Sequence, residues 1–360
     1  MPFVRLSGTV SGADDPNRET RARMLYQLFA NGWDIYNSNG DQRISLSNIE
    51  KKVEESDAFV FMPGASIEDL FKALSIFVGY QTMDENLLGK PAVILNSDGS
   101  WDGLYKLLDD LQSFGAIHQN VREFLLESKD PEEVLEDLAK VRRDGVPDAG
   151  REKITENKSD SFETPEPNGH IGNVCVFCSA SLKDQEYLDA GYKMGQLLAE
   201  NNLGCVSGAG TTGIMGAVVK GSVEAGGWTG GSNVPHIIEL EGLPEGLSSF
   251  WLRPDIYTRM EAMIERSDAF VILPGGAGSV QEMLALLIFK QMDDGFLRGK
   301  PIIIYNRPVN GGENGFWDEL IELLHPWAED GLFEVISDLD EIVARLVSDL
   351  SEKKSPAIEA

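Results

Sequence analysis

The sequence predicts an α/β protein built as doubly wound parallel sheets in two tandem related domains. Three observations carry that prediction. Short apolar runs of strand length alternate with longer helical patterns. Glycine-rich turns at 208–213 and 273–279 each stand between such a run and a helix. Finally, several short segments of the first half recur in order in the second.

Taken in order, residues 3–6 read as a strand and 18–30 as a helix ending near Asn31 and Gly32. Residues 33–36 read as a strand closed by Asn39, Gly40 and Asp41, and 49–55 as helical. A strand over 57–62 runs into Pro63-Gly64-Ala65-Ser66 and a helix over 67–78. Gly89-Lys90-Pro91 introduces a strand at 92–95, and 101–114 form another helix. This gives a first domain over 1–127. Charge, glycine and proline then crowd together over 128–172, which reads as a solvated helix at 132–143 and a flexible linker. The second domain, 173–360, opens with a strand at 173–178 and an amphipathic helix at 184–200. A strand at 204–207 enters the 208–213 turn, a helix at 214–225 and a strand at 228–234. A Gly/Pro-rich loop reaches residue 247, and a helix at 256–265 precedes the buried strand 268–272. After the 273–279 loop come an apolar helix, a strand at 302–305 and helices at 317–327 and 338–350.

The totals narrow the function. A chain of 360 residues, 42% hydrophobic, suffices for two domains. A net charge of −28 opposes any nucleic-acid partner, so a phosphate site has to be built locally. No run is long enough to cross a membrane and no signal peptide stands at the start, so the expected compartment is cytoplasmic. Cys175, Cys178 and Cys205 fall in strands, which argues against a disulfide framework or a redox CxxC. His118, His170, His236 and His325 are scattered without ligand spacing, so no metal is expected.

The first-half copy looks worn. Ser56-Asp57-Ala58-Phe59-Val60 matches Ser267-Asp268-Ala269-Phe270-Val271, Gly89-Lys90-Pro91 matches Gly299-Lys300-Pro301, and Trp101-Asp102 matches Trp317-Asp318. The first half has lost two loop residues, carries Asp69 where Glu282 stands and Asn48 where Arg259 stands, and lacks any counterpart of 214–234. It is expected to be catalytically silent and to pack as an intramolecular pseudo-dimer partner, with a homodimer beyond that.

The 273–279 loop carries the chemistry. Gly275, Gly276 and Gly278 let backbone approach a ligand, and the helix start offers amides to an anion. Glu282 follows one turn later. The competing reading is a Ser279–Glu282 capping box that needs no ligand. For Arg259 the competing reading is a surface ion pair with Asp255 or Glu261. Gly208-Ala209-Gly210-Thr211-Thr212-Gly213 has GxGxxG spacing but no acidic ribose reader after it; Glu224 lies inside the helix. Two such loops on one crevice suit a mononucleotide.

Pro274-Gly275-Gly276-Ala277-Gly278-Ser279 followed by Glu282, with Arg259 upstream and Gly213-Ile214-Met215-Gly216, resembles the LONELY GUY (LOG) family. These are nucleoside 5′-monophosphate phosphoribohydrolases often labelled lysine decarboxylases. The resemblance spans 173–324 and implies a Rossmann-like fold, a dimer, no cofactor, and hydrolysis of AMP-like or cytokinin nucleotides to base and ribose 5-phosphate. It implies catalytic roles for Glu282 and Arg259, phosphate binding by Gly275, Gly276, Gly278 and Ser279, and nucleotide binding by Ser179, Ser181, Gly208, Gly210, Thr211 and Gly213. Met260 replaces the family's lysine, Ala209 its middle glycine, and Ser179 the glycine of its first turn. A non-catalytic nucleotide sensor is the alternative. A pyridoxal-dependent decarboxylase would need a pocket lysine, and Lys290 and Lys300 look peripheral.

Overall fold

The computed structural model describes residues 2–8, 15–37, 53–291, 297–308, 312 and 314–354. The turn at Asn39, Gly40 and Asp41, Asn48, and the helix expected at 49–55 short of its last turn lie outside these residues. The chain divides into two compact units, Met1–Arg151 and Glu152–Ala360.

In the first unit, β1 (Phe3–Ser7), β2 (Asp34–Asn37), β3 (Ala58–Phe61), β4 (Ala92–Leu95) and β5 (Leu125–Ser128) form a parallel sheet in the order β2-β1-β3-β4-β5. Helices α1 (Arg18–Ala30), α2 (Ile67–Gln81), α3 (Asp102–Ser113), α4 (Val121–Phe124) and α5 (Pro131–Asp144) accompany it. β5 has no counterpart in the expectations from sequence, because Glu127 and Ser128 interrupt its apolar run. α5, expected as a solvated helix, belongs to this unit's packing. Its Val134 and Leu138 are buried in one core cluster with Val4, Met24, Leu28 and Val93.

The second unit carries a seven-stranded parallel sheet: β6 (Gly172–Phe177), β7 (Leu203–Ser207), β8 (Thr229–Asn233), β9 (Ser249–Leu252), β10 (Ala269–Ile272), β11 (Ile302–Tyr305) and β12 (Glu334–Ile336). The order is β12-β11-β10-β6-β7-β8-β9. Strands β6, β7, β10 and β11 are buried throughout, which is why they read as largely apolar runs rather than alternating ones. From β6 the chain winds outward through β7, β8 and β9, then returns to β10 and winds the other way. The reversal falls between β6 and β10, where doubly wound sheets open a crevice at the strands' carboxyl ends.

The helices of this unit are α6 (Gln185–Glu200), α7 (Gly213–Glu224), α8 (Pro235–Glu241), α9 (Ile256–Glu265), α10 (Ala277–Gln291), α11 (Asp318–Leu323), α12 (His325–Glu329) and α13 (Leu339–Lys354). α8 lies in the stretch expected as loop; proline at its first position starts the helix. The helix expected over 317–327 is two, α11 and α12, with Pro326 opening the second.

Candidate active site

Three loops meet at the reversal point. After β6, the Ser179 amide donates to the Pro274 carbonyl at 3.0 Å, tying the first turn to the 273–279 loop. The Ser179 hydroxyl oxygen accepts from the Ser181 and Leu182 amides at 2.9 and 3.0 Å, so it shapes its own turn. After β7, the Met215 amide donates to the Ser179 carbonyl at 3.1 Å and the Thr212 hydroxyl to the Ala180 carbonyl at 2.9 Å. Gly213 opens α7 with φ +60°. Thr211 is committed to α8, its amide and hydroxyl both donating to the Glu241 carbonyl.

The capping-box reading of Glu282 fails. α10 begins at Ala277, so Ser279 lies inside the helix rather than at its cap. The Val280 amide already bonds back to the Gly276 carbonyl at 3.2 Å. The amides of Ala277, Gly278 and Ser279 come before the first intrahelical bond of α10, as at any helix start, and α10 follows directly on the carboxyl end of β10. Gly275 is required here: a Cβ on it would stand 2.2 Å from the Ser279 Oγ, which folds back onto the loop. Gly276 is buried and Gly278 half-buried.

In the first unit the matched acid has the other fate. Ser66 caps α2, its hydroxyl accepting from the Asp69 amide at 3.2 Å while the Asp69 carboxylate accepts from the Ser66 amide at 3.1 Å. Ser7 donates a further bond to Asp69 at 2.6 Å. The loop amides of Gly64 and Ala65 donate to the Ser100 hydroxyl at 2.8 and 3.2 Å. Arg21 fills the same mouth, donating to the Pro63 carbonyl at 2.6 Å and pairing with Asp15 at 3.1 Å.

Arg259 does not pair with its helix neighbours. Asp255 instead caps α9, accepting from the Tyr257 and Thr258 amides. The Arg259 Nε donates to the Ser232 carbonyl at the end of β8, at 3.0 Å, and Nη1 lies 3.8 Å from the Glu282 carboxylate. Gly208 makes room for this: a Cβ there would sit 2.0 Å from the Arg259 Nη2. Burial pushes the Glu282 carboxyl up to about 7; Arg259 opposes the rise and the Glu241 carboxylate adds to it. A buried carboxyl poised near neutrality beside an arginine is the setting of acid–base chemistry.

Glu241 escaped the reading from sequence. It is buried at the end of α8, and its carboxylate lies against Gly210, where a Cβ would meet it at 2.9 Å. The signal was weak because a glutamate among Glu239, Glu241 and Glu245 looks like solvated charge. Glu224 turns away, accepting from the Tyr192 hydroxyl at 2.7 Å. Met260 is buried in the core at 2% exposure. The Lys290 ammonium donates to the Lys300 and Leu332 carbonyls, which leaves it no part in the crevice. Among the described residues no group of side chains suited to a metal is found, and no helix is long and apolar enough to cross a membrane.

A family model described as "Possible lysine decarboxylase" matches residues 215–348. A probable cytokinin riboside 5′-monophosphate phosphoribohydrolase of Oryza sativa subsp. japonica is 26% identical over 185 residues, covering 50% of this chain and 77% of that one. A cytokinin riboside 5′-monophosphate phosphoribohydrolase of Arabidopsis thaliana is 30% identical over 162 residues, covering 45% of this chain and 67% of that one. Among solved structures, the molybdenum cofactor binding protein of Rippkaea orientalis is 19% identical with a TM-score of 0.39, covering 49% of this chain and 95% of that one.

Proposed function

The chain belongs to the family of cytokinin riboside 5′-monophosphate phosphoribohydrolases, and from that membership we propose that its second unit hydrolyses the N-glycosidic bond of nucleoside 5′-monophosphates, AMP-like or cytokinin nucleotides, to free base and ribose 5-phosphate. The 5′-phosphate rests on the first-turn amides of α10, with Gly275, Gly276, Gly278 and Ser279 forming the cradle. Arg259 orients the phosphoribosyl group. As the bond between C1′ and the base nitrogen breaks, positive charge builds on the sugar. The ionised Glu282 carboxylate stabilises that charge and directs water to C1′; the base departs with a proton. Ser179, Ser181, Gly208, Gly210, Thr211 and Gly213 form the nucleotide-binding turns, and Glu241 holds ribose hydroxyls. No cofactor or metal takes part in this scheme.

The observation that carries this reading is the position of Glu282: buried, released from capping, and facing Arg259 beside a helix start. Base release from AMP, GMP, CMP and isopentenyl-AMP tests it. Release from at least one, lost in Glu282→Gln, is expected; no release from any removes the proposal. The first unit is held to be catalytically silent, because its loop amides and its acid are already satisfied internally. A homodimer belongs to the same reading, and light scattering giving the mass of one chain would remove it.

A second reading, a non-catalytic nucleotide-binding or sensor protein, rests on Met260, an apolar side chain buried in the core at the position where the family carries lysine. Tight AMP binding without base release decides for it.

A further inference from the structure

The segment that composition marks as a loose linker is bonded along the wall of the site. The Glu239 carbonyl, two residues before Glu241, accepts from the Ile154 amide at 2.7 Å and from Thr155 at 3.3 Å. The Lys153 ammonium lies 2.5 Å from the Glu239 carboxylate. Further along, Phe162 and Phe250 of edge strand β9 exchange two backbone hydrogen bonds, of 2.9 and 2.8 Å, in an antiparallel bridge. The Ser161 hydroxyl accepts from the Leu252 amide at 2.9 Å, and the Thr164 amide donates to the Ser249 hydroxyl at 2.9 Å. Phe250 in turn forms a small buried cluster with Ala209 and Ile238. Ala209 is the middle of the 208–210 turn, and Ile238 lies in α8, the helix that ends at Glu241. One run of chain is therefore tied to both supports of this wall.

The wall needs such support. Ala209 sits at φ +53°, a left-handed conformation that a side chain disfavours and that persists only when neighbours hold it. α8 has seven residues, too few to be stable alone.

We propose that residues 153–164 act as a positioning strap, holding α8 through Glu239 and the 208–210 turn through Phe250, and so setting where Glu241 and Gly208 stand relative to Arg259 and Glu282. The inference rests on the nucleotide site proposed above. The side chains of Ile154 and Phe162 are largely outside, 62% and 45% exposed, so at these two positions the hold is made by main chain. That separates amide from side chain. Ile154→Pro deletes the shorter of the two amide bonds to the Glu239 carbonyl, whereas Ile154→Ala keeps both.

Two readouts on the full chain test this. In Ile154→Pro, KM for AMP rises roughly tenfold with kcat changed less than about twofold, the size expected for one lost hydrogen bond expressed in binding. Ile154→Ala behaves as the parent. Independently of any reaction, hydrogen exchange of the amides at 209–211 and 238–242 quickens in Ile154→Pro, while β6 and β10 stay protected. Unchanged exchange at those amides, or an equal effect from Ile154→Ala, overturns the strap. Should the parent release no base at all, quickened exchange still upholds the strap, and the catalytic reading alone falls. If Ile154→Pro does not fold, Ser161→Ala, which removes the acceptor for Leu252, is read for faster exchange at 209–211 and 249–252.

Discussion

The Glu282 carboxylate and the Arg259 guanidinium stand 3.8 Å apart, with side chains 9% and 12% exposed. The separation is too long for a hydrogen bond, so neither group is consumed by the other. Each is placed by something else: Glu282 by a helix whose start it does not cap, Arg259 by the Ser232 carbonyl.

Glu282 makes activity and stability depend on pH. Its carboxyl titrates near 4.5 when unperturbed and is pushed up to about 7 by burial, against the pull of Arg259 and with help from Glu241. The folded state thus holds this proton more tightly than the unfolded chain. The resulting stabilisation is full below about 4.5 and is lost as pH rises through about 7. Glu282→Gln removes the titration. Relative to the parent it should gain about 3 kcal/mol between acid and mildly alkaline pH, read by urea unfolding. Because the proposed scheme uses the ionised form, kcat/KM should rise as pH passes through about 7.

Arg259→Ala should move that limb further toward alkaline pH, because the positive charge that restrains the rise is gone. A pH profile of kcat/KM reads the shift. An unmoved limb would show that Arg259 does not act on Glu282.

Gly208→Ala tests the packing behind the arginine. The added methyl would come within 2.0 Å of the Arg259 Nη2, forcing the guanidinium aside. Base release should fall on the order of a hundredfold, as expected for a misplaced group, with the fold kept by circular dichroism.

Asp69→Asn should behave as a structural change in the first unit. It weakens the cap of α2 and the bond from Ser7, at a cost of about 1–2 kcal/mol in thermal or urea unfolding, while kcat/KM stays within about twofold. A large loss of kcat/KM would show that the first unit is not silent.

How far the sequence carried the reading depends on the kind of signal. Strands such as β6 and β10 are buried on both sides and announce themselves as apolar runs. The Gly275 loop was legible as a strand-to-helix turn because its glycines allow the close packing of Gly275 against Ser279. What escaped depended on tertiary context. β5 and β12 are interrupted by polar residues, and β12 is largely exposed. Glu241 looks like surface charge until Gly210 is folded against it. Ser66–Asp69 and Ser279–Glu282 offer one local pattern with two outcomes. Two more residues in the second loop and a helix begun at Ala277 turn a capping acid into one that faces Arg259.

The most direct test follows AMP by proton NMR with the full chain and with Glu282→Gln. Adenine and ribose 5-phosphate should appear in equal amounts with the parent, and the Gln variant should be slower by on the order of a thousandfold while still binding AMP. AMP left intact by the parent, or cleaved equally by both proteins, would contradict the account.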